Sequence, residues 1–115
     1  MTTLNQQAIT AVNEQTACYV NLAFVDQSGN PYTPSALSYR IDSLTYNQEV
    51  QDWTAVSSGL TPTMTLVVSA AQNAKLGSEP SELRRVTWRV TAPGGDSRVD
   101  KATYSLQAVP QAELA

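Results

Sequence analysis

The chain has 115 residues, with 7 basic and 10 acidic side chains and a formal net charge of −3. Charged residues make up 15%, histidine is absent, and Cys18 is the single cysteine. This fits one domain. It excludes His-based triads, His–Cys zinc sites and an intrachain disulfide framework.

Without basic runs, a mildly acidic chain is a poor candidate for nucleic-acid binding. No apolar stretch approaches the roughly 20 residues of a membrane span. Met1 is followed by polar residues, so the N-terminus does not read as a signal peptide.

Residues 1–13 are polar around a small apolar cluster that includes Ile9 and Val12. They read as an arm or a short edge strand. In residues 16–25, Cys18, Val20, Leu22 and Phe24 alternate with Tyr19, Asn21 and Ala23, a period-two strand pattern. Asp26 to Pro31 stop it with turn residues.

In residues 36–44, Leu37, Tyr39 and Ile41 share one face and Ser38, Arg40 and Asp42 the other, as in a strand with one wet face. Residues 46–48 read as a turn. Residues 50–56 alternate ambiguously; the expectation is Trp53 inside, with a bulge nearby. Residues 63–69 form a strand with Met64, Leu66 and Val68 on one face. Residues 70–80 are open to a helical turn or a loop crossing between sheets.

In residues 82–91, Val86, Trp88 and Val90 alternate with Arg85, Thr87 and Arg89, a strong strand signal. Pro93 to Asp96 make a turn. Residues 99–109 set Ala102, Tyr104, Leu106 and Ala108 on one face. Residues 111–115 read as a tail. Six strands and a further one at the N-terminus, without a long helix, predict an all-β sandwich of six to seven antiparallel strands over residues 14–110.

The run from Val25 to Asp42, with its Asp26…Gly29-Asn30-Pro31 turn, the Thr33-Pro34-Ser35 link and Tyr39-Arg40-Ile41, resembles the immunoglobulin-like domains of small bacteriophage structural proteins. Leu66-Val67-Val68 and Arg84 to Trp88 extend the resemblance, which covers roughly residues 14–108. It rests on turns and core positions rather than on chemistry. It implies an immunoglobulin-like or fibronectin-III-like β-sandwich and a virion structural role. Tyr104 reads as an inward aromatic of the last strand, because too little chain follows for it to mark a tyrosine corner.

No residue set reads as catalytic, cofactor-binding or metal-binding. Glu79, Glu82, Asp96 and Asp100 lie where turns and strand ends carry charge. Asp26, Ser28 and Asn30 have the spacing of the start of a calcium loop but lack its distal acidic ligand. Cys18 reads as a small buried hydrophobe.

The candidate contact residues are Tyr32 and Tyr46 near turns, Arg85 and Arg89 on one strand face, and Ile9 and Val12 in the arm. The expectation is no enzyme and no cofactor. The resemblance implies a phage capsid decoration (cement) protein bridging neighbouring subunits, assembled in the host cytoplasm. Its partners would be the major capsid protein or other virion proteins, with self-association. A head–tail or tail component, or a module binding carbohydrate on a cell surface, are the alternatives; Trp53 or Tyr46 would then serve as the sugar platform. Fold alone does not choose among these roles.

Overall fold

The computed structural model describes residues 2–4 and 9–108. Eight strands run through them: β1 (Thr2–Thr3), β2 (Thr10–Asn13), β3 (Cys18–Ala23), β4 (Ala36–Ser43), β5 (Gln48–Ala55), β6 (Thr63–Val68), β7 (Ser81–Thr91) and β8 (Ser97–Gln107). They make two sheets, β1-β3-β6 and β2-β8-β7-β4-β5. No helix occurs among the described residues. The fold is all-β and sandwich-like.

Alternation decides what is buried. Cys18, Val20, Leu22, Leu66 and Val68 of the small sheet meet Leu37, Ile41, Val86, Trp88, Val90, Ala102, Tyr104 and Leu106 of the large one in a single core. Full burial of one such aliphatic side chain is worth about 1.5–3 kcal/mol. The core can therefore offset chain ordering without a cross-link. At one end, Phe24 packs against Tyr32 with ring centroids 6.0 Å apart. There the Asp26 loop is closed by its own carboxylate, whose Oδ1 accepts the amides of Ser28 and Asn30, each at 2.9 Å. This is the Asx-turn geometry of a structural turn.

One expectation is corrected, and two open alternatives are decided. The strands are not all antiparallel: β1 pairs parallel with β3, and β2 parallel with β8. Residues 10–13 are an edge strand, with Val12 opposite Leu106 and 1% exposed. Residues 70–80 form turns stitched by bonds from the Asn73 and Ala74 amides to Ser69, Ala70 and Ala71, not a helix. The C-terminal tail at 111–115 lies outside the described residues.

Trp53 does not enter the core. Between Tyr39 and Asp42 the β4–β5 register shifts twice, each time admitting an extra residue in β5. The Asp52 carboxylate accepts the Trp53 amide at 2.8 Å, and the Asp52 carbonyl accepts the Thr54 hydroxyl. Val50 and Val56 pack on the core, and Trp53 is left half-buried on the opposite face.

A buried polar cluster pins the 69–80 segment to the large sheet. Glu82 and Arg84 are both fully buried, and Arg84 Nε meets Glu82 Oε2 at 2.6 Å. The other Glu82 oxygen accepts the Leu76 amide at 2.9 Å. The Arg84 terminal nitrogens donate to the carbonyls of Gln72 and Ala74.

Beside them Asn73, also fully buried, accepts the Tyr104 hydroxyl at 2.6 Å. It donates to the Thr16 carbonyl at 2.8 Å and to Cys18 Sγ at 3.4 Å. Glu82 is therefore no surface carboxylate: its pairing leaves no uncompensated charge inside.

Burial pushes the Cys18 thiol above its ordinary range and raises the Tyr104 hydroxyl further. Both groups are neutral acids that hold their protons more tightly folded than unfolded. Their contribution to stability is complete below the unfolded pKa values, about 8.5 for Cys and 10 for Tyr. It falls as pH rises from there towards the raised folded values. Urea midpoints are expected to be flat from pH 7 to 8 and to decline above about pH 9. Tyr104→Phe should flatten the steepest part of that decline; an unchanged profile in this variant would remove Tyr104 from the account.

Candidate functional site

The inward parity of β7 is taken by Val86, Trp88 and Val90, so Arg85, Thr87 and Arg89 must point out of the sheet. Register then builds a continuous polar face. On the β4 side Asp42 lies opposite Arg85, Arg40 opposite Thr87 and Ser38 opposite Arg89. On the β8 side Thr103, Lys101 and Val99 lie opposite the same three β7 residues. β5 adds Trp53 and Glu49.

Charge on this face is unevenly matched. Arg40 takes both oxygens of Asp42, at 3.0 Å from Nε and 2.7 Å from a terminal nitrogen, and reaches Glu49 at 3.3 Å. Arg85 sits across from Asp42 in register, but that carboxylate is already occupied. Among the described residues Arg85, Arg89 and Lys101 make no ion pair. The Arg85 Nε is buried without a hydrogen-bond partner among the described residues, which costs free energy.

Arg40, Asp42, Arg85 and Thr87 line a groove of about 420 Å³, closed at one end by the Leu44–Asn47 turn and by Glu49. Asn47 takes a positive φ of 50° to make this turn; asparagine is among the few side chains that adopt it readily.

The Arg89 guanidinium lies over the Trp53 ring, 4.4 Å from its centroid, and the Arg40 guanidinium is 5.9 Å away. Stacking of this kind at a half-exposed site is worth about 0.5–1 kcal/mol. It holds Arg89 upright on the sheet. It also occupies a ring face on which a sugar would stack.

The six candidate contact residues separate. Arg85 and Arg89 share this face. Tyr46 is 36% exposed on the turn beside the groove. Its hydroxyl overlies Gly77, where an added Cβ would clash with it. Tyr32 lies at the other end of the molecule, half-buried against Phe24. Ile9 is 61% exposed just before β2, while Val12 is part of the core.

Lys101 and the groove around Arg40 escape the sequence reading, which names Trp53 as a core residue or a sugar platform and not as a partner of Arg89. Parity was available for Lys101 and Arg40, but the bulge conceals Trp53. Among the described residues no group of three or more Asp, Glu or Cys side chains could hold a metal ion.

Comparison with protein-family models, with curated proteins and with solved structures finds no match for this chain.

Proposed function

We propose that the chain is a non-catalytic contact module: an immunoglobulin-like β-sandwich that docks the outer face of its five-stranded sheet on an acidic protein surface. The sheet orders support the immunoglobulin-like reading, with a three-stranded sheet opposed to a five-stranded one and an N-terminal strand parallel to the last strand. The resemblance of residues 14–108 to small phage structural proteins supports a virion role for this module, as a capsid decoration protein bridging subunits. A head–tail or tail component is the alternative.

The observation that carries the docking face is the set of Arg85, Arg89 and Lys101 without acidic partners, beside the orphaned Arg85 Nε, in a chain of net charge −3. Cations arranged this way favour an acidic partner surface. Arg and Trp are also the residue types that most often anchor interfaces. Many such contacts on a repeating lattice would add by avidity.

The test is co-sedimentation with shells assembled from the major capsid protein of the same genome. Wild type is expected to bind, more weakly as salt rises. The Arg85→Glu/Arg89→Glu double variant should lose at least about tenfold in affinity, as reversal of a matched charge pair does. Binding that the double variant leaves unchanged would remove this face from the interface.

A further inference from the structure

Among the described residues β6 is the outermost strand of the small sheet and has β3 as its neighbour on one side alone. Its six residues pair with β3 in unbroken register, from Cys18↔Val68 to Ala23↔Thr63, without a bulge. Phe24 donates to the Pro62 carbonyl, which fixes the phase of the ladder: Met64, Leu66 and Val68 direct their peptide groups at β3. Thr63, Thr65 and Val67 direct theirs at the open side. Val67 is 47% exposed.

Unprotected edges of this kind are normally blunted by charge, proline or a bulge. Here none of these is present within Thr63–Val68, and residues 53–74 contain no Asp, Glu, Lys or Arg. β1 and β2, the other outer strands without charge, have only two and four residues, and two longer free edges differ. β5 carries Glu49 and Asp52 and two register shifts. The part of β8 beyond its pairing with β2 carries Arg98, Asp100 and Lys101.

We propose that β6 is a self-pairing edge, through which two copies of this chain join antiparallel about a twofold axis at Thr65. The two small sheets then become one six-stranded sheet. Thr65 faces its own copy in a hydrogen-bonded pair, and Thr63 faces Val67 of the other copy. A second copy is the occupant because the strand is neutral and so faces itself without like charges in opposition. The pairing uses the sheet opposite the Arg85 face, so a dimer would leave that face free.

Light scattering across a wide concentration range should give a dimer for the wild type. Thr65→Lys sets two ammonium groups directly opposite and should give a monomer whose melting temperature matches that of the wild type at high dilution. Thr65→Cys should form a disulfide-linked dimer in air, since Cα atoms in such a pair are about 5.5 Å apart; Cys18 is buried and does not compete. A wild type that is monomeric at every concentration overturns the proposal. So does a dimer that survives Thr65→Lys, or one that Thr65→Cys does not cross-link.

Discussion

Arg84→Ala is expected to cost about 3–5 kcal/mol of folding free energy, the range found when one partner of a buried ion pair is removed. Glu82 would be left charged and fully buried, with the Leu76 amide as its remaining partner. The carbonyls of Gln72 and Ala74 would lose their donors as well. A domain of this size has about 5–15 kcal/mol in total, so the loss is about a fifth of it or more. Urea or thermal denaturation reads it directly.

The Glu82→Leu/Arg84→Met double variant should recover much of the loss, because no isolated charge remains inside. It should still fall short of wild type, since the loop's backbone groups stay unpaired. A single variant within about 0.5 kcal/mol of wild type would mean that the pair does not hold the 69–80 segment.

Asn73→Ala carries the second large effect, about 2–6 kcal/mol, built from two stranded groups at roughly 1–3 kcal/mol each. These are the Tyr104 hydroxyl and the Thr16 carbonyl. Tyr104→Phe strands the Asn73 Oδ1 alone and should cost about half as much. Asn73 and Arg84 hold the same segment from two sides, so their effects should not add; a coupling of about 0.5–3 kcal/mol is expected in the double variant. Strict additivity would indicate two independent anchors rather than one cluster.

The sequence legibility of this fold follows the strength of its periodicity. Residues 16–25 and 82–91 alternate without interruption, and both lie within a few residues of their strands, β3 and β7. Cys18 and Tyr104 are buried as their alternation requires.

The same alternation extends to Glu82 and Arg84, which share the inward parity of Val86 and Trp88. Opposite charges two residues apart on a core face were the available sign of a buried pair. The general tendency of charges to lie outside obscured it.

Trp53 is a different failure. Two extra residues in β5 change the phase of the strand within the segment itself, so no period fits it. The parallel pairing of β1 and β2 depends on which sheet each short strand joins. Two to four residues carry too little pattern to settle that.

Half of the docking face was legible. Arg85, Thr87 and Arg89 could be read as one strand's outer row. Their isolation from acidic partners could not, because it depends on Arg40 taking Asp42 from the neighbouring strand. Cross-strand competition for one carboxylate is a property of register.

The most direct test of the structural-module account is quantitative mass spectrometry of particles purified from the genome that encodes this chain. The account predicts that the chain remains on washed particles. A copy number in fixed ratio to the capsid subunit marks a decoration protein, and a small ring-like number marks a head–tail or tail component. Its absence from particles that retain their other structural proteins would contradict the account.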